Sequence, residues 1–219
     1  MPLSDEESEQ LRRDAADVGV DLTERQIEAI GLYVDLLLRW RDHARLVSRR
    51  QTRADILRRH IPDSLAVIPV LRDRTRIGDI GAGAGFPGIP IAIVRSDAQV
   101  TLIEPNQRKA NFLREVIRKL GISRAQVSEA RAEDFVPAQP FEAAVSRAVW
   151  SVRELVAKAT PQLAATGIVV AMKGPSFKSD KSENSATDLV EFGFNVRNTV
   201  HYQLAGGRER VLLVLERFT

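Results

Sequence analysis

The sequence contains no cysteine. Disulfides, thiolate zinc sites and thiol nucleophiles are therefore excluded as sources of stability or catalysis. A chain that needs no disulfide suits a reducing compartment, so we expect a cytoplasmic protein. At 219 residues the chain is long enough for one domain to bury a substantial core without cross-links.

Long hydrophobic runs are also missing. The longest apolar stretches lie near residues 89–94 and 167–172, and both are far shorter than the roughly 18 residues that a membrane span requires. The acidic segment Asp5-Glu6-Glu7 stands where an export signal would carry basic and then apolar residues. We therefore expect neither a membrane anchor nor export.

Positive charge is concentrated in one segment. The whole chain carries only +3, yet eight arginines and two aspartates between residues 39 and 60 give that segment +6 and leave −3 elsewhere. The planar guanidinium of arginine suits bidentate contacts with phosphate, which favours a nucleic-acid partner. The alternative is a solvated helix face. The arginines are Arg39, Arg41, Arg45, Arg49, Arg50, Arg53, Arg58 and Arg59.

Residues 1–72 have the pattern of a helical extension. Thr23 and Gln26 have the spacing of a capping box, and the apolar residues that follow recur at helical intervals. We predict a helix to about Trp40, and a second helical stretch over 52–71 that is interrupted or bent at Pro62 and again at Pro69. The apolar residues are Ile27, Ile30, Val34, Leu37 and Leu38.

From residue 73 onward, short apolar runs alternate with helix-length polar stretches, which is typical of an α/β doubly wound sheet. Only the short turn around 205–208 separates the last two runs, so these two strands must pair antiparallel. We predict strands near 76–80, 99–103, 125–129, 141–146, 167–172, 194–202 and 210–217, with helices near 87–95, 106–120, 150–160 and 180–192.

A glycine-rich turn over residues 79–88, with the sequence DIGAGAGFPG, follows the first predicted strand. Glycines let backbone approach a nucleotide closely, and we expect Gly81 and Gly83 to face one. The same segment matches the dinucleotide pattern G-x-G-x-x-G, with Glu104 after the second strand as a ribose ligand. A nicotinamide cofactor and a tight turn that binds nothing therefore remain alternatives at this point.

Two further features favour S-adenosylmethionine as the cofactor. A final antiparallel hairpin after five parallel strands is the methyltransferase variant of the doubly wound sheet. The loop after the third strand, with Ala132 and Glu133, places an acid where it can accept from an adenine amino group. A dehydrogenase would also need a proton-transfer group, whereas we interpret His43, His60 and His201 as packing or surface residues.

The acceptor atom can be narrowed by what the sequence lacks. Methylation of a pyrimidine carbon needs a cysteine, and methylation of an exocyclic amine commonly uses an Asn/Asp-Pro-Pro-aromatic loop where this chain has SRAVW at residues 146–150. Guanine N7 offers a lone pair with no proton to remove, so no general base is required and we assign no catalytic residue. Arg147 could contact the cofactor or the target nucleotide, or form an ordinary ion pair. For Trp150 we favour core packing over stacking on a base.

Taken together, these motifs resemble the ribosomal small-subunit methyltransferase G family, also called glucose-inhibited division protein B. The resemblance covers most of the chain and rests on DIGAGAGFPGIP at 79–90, RHIPDSL at 59–65, RKANFL at 108–113, SRA at 146–148 and AMKG at 171–174. It implies a class I, Rossmann-like methyltransferase that modifies N7 of one guanosine in the decoding-region loop of 16S rRNA.

The resemblance also implies site residues. Its members contact S-adenosylmethionine at the positions of Gly81, Phe86, Ala132, Glu133 and Arg147, with an acid at the position of Glu104. For the partner, 16S rRNA or the small ribosomal subunit, we expect contacts from Arg45, Arg49, Arg59 and Lys173. We expect no metal and a monomeric protein.

One stretch departs from the family pattern. The usual WNKxxNLT reads WRDHARLVS at residues 40–48, so Arg41 and Arg45 replace two asparagines. The departure puts the local structure and the RNA contacts of that stretch in doubt, although added arginine suits a phosphate-rich partner. A nicotinamide oxidoreductase and a non-catalytic RNA-binding module with a vestigial pocket are the alternative functions.

Overall fold

The computed structural model describes residues 2–147, 150–174 and 189–218. Its centre is one seven-stranded sheet with the order β3-β2-β1-β4-β5-β7-β6. The first five strands are parallel, and β7 lies antiparallel between β5 and β6. This arrangement confirms the predicted fold class. The strands are β1 Arg76–Ile80, β2 Gln99–Ile103, β3 Ala125–Ser128, β4 Phe141–Arg147, β5 Leu163–Lys173, β6 Phe194–Leu204 and β7 Arg208–Arg217.

Helices precede the sheet and connect its parallel strands. The extension consists of α1 Asp5–Ala16, α2 Glu24–Ala44, α3 Arg53–Asp55, a π-helical segment Ile56–His60, α4 Ile61–Leu65 and a 3₁₀ turn Ile68–Leu71. Later helices are α5 Gly88–Val94, α6 Gln107–Leu120 and α7 Val152–Ala159, with 3₁₀ turns at Ala132–Asp134 and Thr160–Gln162. Most of the helix predicted over 180–192 lies outside the described residues, and of its described part only residues 189–190 are helical.

Helix α2 begins at the predicted capping box and continues past its predicted end. The Thr23 hydroxyl accepts from the backbone N–H of Gln26, whose side chain accepts from the backbone N–H of Thr23. The helix ends at Ala44 rather than near Trp40, because neither proline nor glycine stands between them. Termination comes at Arg45, which adopts the left-handed conformation with φ of 49°.

At Pro62, where the sequence predicts an interruption or a bend, the helix changes its hydrogen-bond register and does not break. Proline has no N–H to donate and its ring crowds the preceding turn. Here the N–H of Ile61 donates to the carbonyl of Ile56, five residues earlier, so the wider π-helical turn accommodates the proline and the helix continues to Leu65. The chain leaves helical geometry only before the 3₁₀ turn that contains Pro69.

The helical extension shares its core with one face of the sheet. Leu11, Ile30 and Leu65 of the extension belong to the same buried cluster as Ile77 and Leu102 of the sheet. Side chains on the other face form a second cluster under α7. A boundary near residue 72 therefore stays a prediction, although the extension is packed against the region that carries the glycine turn.

The left-handed end of α2 leads to a stability prediction. Asparagine and glycine tolerate this conformation, whereas a long side chain is strained there. Replacing Arg45 with asparagine should raise the free energy of unfolding by roughly 0.5–1 kcal/mol, measured by urea denaturation. The control is Arg50→Asn, because Arg50 is exposed and lies outside the left-handed region; equal effects of the two substitutions would contradict the explanation.

Candidate cofactor and acceptor site

The glycine-rich turn lies at the carboxyl end of β1, between β2 and β4. This is where the winding of the chain reverses, and open α/β sheets bind their ligands at such a point. The N–H groups of Gly81 and Ala82 both donate to the carbonyl of Ile103, at 2.9 and 3.0 Å. These bonds hold the start of the turn against the end of β2.

The glycines of the turn have two different roles. A Cβ at Gly85 would lie 2.6 Å from Cγ1 of Ile89, and one at Gly88 would lie 2.5 Å from a carboxylate oxygen of Asp79, so both positions are closed by packing. At Gly83, with φ of 58°, the nearest atom to a Cβ would be 3.7 Å away. The turn is therefore open at Gly83 and filled at Gly85 and Gly88.

Glu104 supports this turn from the end of β2. Its side chain is buried, one oxygen accepts from the N–H of Gly83 at 2.8 Å, and the other accepts from the N–H of Asn106 at 2.9 Å. Each carboxylate oxygen can accept more than one hydrogen bond. The predicted ribose ligand thus lies at the turn and also fixes its backbone.

Asp79 is an acid that the sequence interpretation did not assign to the site. It is fully buried at the end of β1, and its Oδ2 accepts from the N–H of Gly88 at 2.8 Å. Among the described residues, Oδ1 has no hydrogen-bond partner. Burial raises the pKa of this carboxyl to about 7, although the N–H of Gly88 and Arg147 act in the opposite direction.

The loop after β3 has one buried and one exposed member of the predicted pair. Ala132 is buried, and its carbonyl accepts from the side chain of Gln162 at 2.8 Å. Glu133 is exposed, and the ammonium of Lys158 lies 3.1 Å from its carboxylate. A hydrogen bond from its own backbone N–H lowers the pKa of the Glu133 carboxyl, and the hydrogen bond from Lys158 lowers this pKa further. The acid is therefore charged at neutral pH, as an acceptor of hydrogen bonds must be.

Phe86 lies between the extension and β4. The ring of His60 stacks on it at 5.1 Å between centroids, the guanidinium of Arg147 lies 4.6 Å from its centroid, and Tyr33 meets it edge-on at 5.5 Å. Only 4% of Phe86 is exposed. The ring is thus covered by His60 and Arg147, so the expected cofactor contact at Phe86 remains a prediction.

A basic cavity of about 320 Å³ opens beside Arg147. Five cationic side chains line it, and they come from the extension and from strands β4, β5 and β7; the same wall contains one acid and one histidine. We call this space the basic cavity. Its lining residues are Gln51, Arg59, His60, Asp63, Arg147, Met172, Lys173, Gly174, Arg208 and Arg210.

The structure brings together only some of the arginines expected to bind RNA. Arg59 lines the basic cavity, whereas Arg45 and Arg49 do not. Arg49 is exposed and pairs with Asp42 at 2.9 Å. The sequence interpretation missed Arg208 and Arg210, which follow Gly206 and Gly207 at the start of β7. They could have been found in the sequence as two further arginines beside the turn around 205–208, which the strand prediction already used.

Lys173 also lines the basic cavity, but it is not a solvated surface lysine. It is 9% exposed, and its ammonium donates to the carbonyl of Trp150 at 2.7 Å. Trp150 is partly buried against the second core cluster, in line with the expected packing role. This hydrogen bond holds the Lys173 ammonium group next to the carbonyl of Trp150 and fixes its position in the cavity wall.

His60 packs against Phe86, in line with the expected packing role, and it also lies in the wall of the basic cavity. Its Nε2 is 2.8 Å from the amide nitrogen of Gln51. Burial, followed by the nearby charges of Arg147 and Arg59, lowers the pKa of His60 to about 4. The imidazole is therefore neutral at physiological pH. The sequence feature that could have indicated a place for His60 at the site is the RHIPDSL segment that contains it.

Comparison with known proteins identifies the family. Residues 26–207 match the model of the GidB family, rRNA small subunit methyltransferase G. The chain is 39% identical to ribosomal RNA small subunit methyltransferase G of Chromobacterium violaceum, over 75% of this chain and 78% of that one. It is 32% identical to the protein of that name from a Geobacter species, over 95% and 97%. The chain belongs to this family.

Solved structures show the same methyltransferase fold. The glycopeptide N-methyltransferase MtfA superimposes with a TM-score of 0.61 at 14% identity, over 75% of this chain and 99% of that chain. TYW2 of M. jannaschii in complex with AdoMet gives 0.52 at 18% identity, over 65% and 69%. As a member of the methyltransferase G family, the chain is an S-adenosylmethionine-dependent methyltransferase, and the nicotinamide alternative is not favoured.

The described residues contain neither a candidate metal site nor a membrane-spanning helix. Residues 2–147, 150–174 and 189–218 hold no cluster of three or more acidic or histidine side chains placed to bind a metal ion. Within the same ranges, no helix combines the length and hydrophobicity that crossing a bilayer requires.

The raised pKa of Asp79 predicts how stability depends on pH. A buried carboxyl with a raised pKa stabilises the fold while protonated, and this contribution is lost as pH rises through about 7. Asp79→Asn can keep the bond from Gly88 without ever becoming charged. Between pH 6 and 8 the variant should therefore gain about 1.4 kcal/mol relative to the wild-type protein, measured by denaturant unfolding without cofactor. A pH-independent difference would contradict this account.

Proposed function

We propose that this enzyme transfers the methyl group of S-adenosylmethionine to N7 of a single guanosine in 16S rRNA. The relatives in the methyltransferase G family carry names that state action on small-subunit ribosomal RNA. In this chain a cavity with five cationic side chains opens beside the end of β4, and two of its lining residues, His60 and Arg147, contact Phe86 of the glycine turn. A phosphate-rich partner suits such a surface.

The observation that carries the choice of N7 is the state of the proton acceptors in the basic cavity. The lowered pKa of His60, about 4, leaves its imidazole neutral at pH 7 and makes it a weak base. The oxygens of Asp63 face the Tyr202 hydroxyl and two guanidinium groups. An acceptor that must lose a proton would find no suitable base here, whereas guanine N7 attacks with a lone pair and needs none.

The residues at the glycine turn fit S-adenosylmethionine. The open backbone at Gly83 leaves room for a close approach, and Glu104 has remaining acceptor capacity for ribose hydroxyls. Oδ1 of Asp79, which has no hydrogen-bond partner among the described residues, lies behind the turn, where a cationic ligand would favour the ionised form of this carboxyl. We propose Gly81, Gly83, Phe86, Glu104, Ala132 and Glu133 as cofactor-binding residues, together with Arg147, which could contact the cofactor or the target nucleotide.

Bound cofactor supplies a methyl group that is already activated on a sulfonium centre, so the task of the protein is alignment. Arg147 would fix the reacting groups from the end of β4, because its guanidinium is held between Phe86 and Asp63. Arg59, Arg208 and Arg210 would hold phosphates on either side of a guanosine that enters unstacked. The packed rings of Phe86 and His60 would keep water out of this wall.

Two coarser expectations complete the proposal. We infer that the enzyme acts in the cytoplasm, because its relatives carry names that state action on ribosomal RNA, and we keep a monomer as the expected oligomeric state. Light scattering coupled to size-exclusion chromatography tests the monomer, and fractionation of the native host tests the compartment. A dimer at micromolar concentration would overturn the expected monomer.

Nucleoside analysis tests the reaction. Ribosomal RNA from cells that lack this gene should lose one 7-methylguanosine of the small subunit, measured by mass spectrometry of RNA fragments. Recombinant enzyme with S-adenosylmethionine should restore the modification on RNA from those cells. Testing protein-free rRNA and intact subunits in parallel identifies the substrate form, and an unchanged nucleoside profile would reject the rRNA assignment.

A pair of glycine substitutions tests the cofactor site. Gly81 and Gly121 both have positive φ, but Gly121 ends α6, where a Cβ meets open space. Gly81→Arg and Gly121→Arg should thus cost similar backbone strain, while only the first fills the space proposed for the cofactor. S-adenosylhomocysteine at 100 times its Kd should stabilise the wild-type protein and Gly121→Arg by about 2.7 kcal/mol, and should leave Gly81→Arg unchanged. Equal stabilisation of both variants would place the cofactor elsewhere.

A further inference from the structure

The RHIPDSL segment contains an acid whose contacts extend across the fold. Asp63 in α4 is 7% exposed. Its Oδ1 accepts from the hydroxyl of Tyr202 on β6 at 2.7 Å and lies 3.5 Å from Nε of Arg210 on β7. Its Oδ2 lies 3.4 Å from the guanidinium of Arg147 at the end of β4. One carboxylate from the extension thus joins three strands of the sheet.

Among the described residues, Asp63 is also the one acid in the wall of the basic cavity, which five cationic side chains line. Two of these, Arg147 and Arg210, are its direct partners. Their guanidinium groups would repel each other without an intervening negative charge. Arginine side chains have many rotamers, so holding two of them at one wall requires a partner that fixes both.

We propose that Asp63 is a positioning residue, which holds Arg147 and Arg210 in the arrangement that receives the phosphates flanking the target nucleotide. The inference rests on the proposed function, since it assumes that RNA enters the basic cavity. Asp63 acts through the two arginines and touches neither the methyl group nor the guanine. This gives a role to a segment that sequence analysis marked only as typical of the family.

Simple electrostatics makes the opposite prediction, which makes the proposal testable. Asp63→Asn removes a negative charge from a basic cavity, so charge alone would tighten RNA binding. If Asp63 positions the two arginines, the same substitution weakens RNA binding, because the guanidinium groups no longer meet the phosphates together. The direction of the change in RNA affinity therefore separates the two explanations.

The experiment compares Asp63→Asn with a matched control, Asp14→Asn. Asp14 is buried to a similar extent, 8% exposed, and contacts Gln10 on α1 rather than the cavity. We expect Asp63→Asn to reduce kcat/KM for small-subunit RNA about tenfold or more. The slope of log RNA affinity against log salt concentration should become shallower by about 0.7 for each lost phosphate contact. Asp14→Asn should change neither quantity.

Tyr202→Phe separates positioning from general stability. It removes the hydroxyl that bonds Asp63 while leaving both arginine pairs, so it should lower the melting temperature with a smaller loss of kcat/KM than Asp63→Asn. Tighter RNA binding by Asp63→Asn would overturn the proposal. So would losses of kcat/KM that follow the losses of melting temperature across the three variants.

The failure of the proposed function would be recognised separately. If the wild-type enzyme formed no 7-methylguanosine on any RNA, the reaction assignment would fall. RNA affinity and its salt slope would still be measured for Asp63→Asn and Asp14→Asn by fluorescence anisotropy with a labelled RNA fragment, and equal values for these two variants would reject Asp63 as a positioning residue.

Discussion

The carboxylate of Glu104 bridges two backbone segments on which the site depends. It accepts from Gly83 in the turn after β1 and from Asn106 before α6, so two neighbouring strand ends are tied together by one buried side chain. Asn106 in turn accepts from Arg108 and Lys109 and caps α6. Burying a carboxylate is costly unless its oxygens are hydrogen-bonded, and both are here. The turn is thereby held open as a backbone cradle.

The extension completes this site instead of merely preceding it. Tyr33 donates to the carbonyl of Ala84 in the turn, and its ring contacts Phe86, which His60 covers on another side. Asp63 then carries the connection to the far strands through Tyr202. Because the contacts run through buried groups, the position of the extension and the shape of the basic cavity are coupled.

Most of the architecture could be predicted because its signals are local. Periodicity placed the seven strands, and the short link at Gly206 and Gly207 required an antiparallel end, as observed. The errors lie where local signals compete. The end of α2 depends on a left-handed Arg45, which no propensity favours, and Pro62 is accommodated by a π-helical turn that proline statistics do not predict.

The sequence by itself determined the family, the cofactor chemistry and the glycine turn, because each motif that indicates them consists of residues close together along the chain, even though the motifs are spread over it. Only the tertiary structure decided which charges meet. Arg45 and Arg49 looked like Arg59 in the sequence, yet they lie outside the cavity that Arg208 and Arg210 enter from the end of the chain. The buried acid Asp79 and the neutral His60 also became visible only there. Their protonation depends on burial and on neighbours far away in sequence, and neither can be read from spacing.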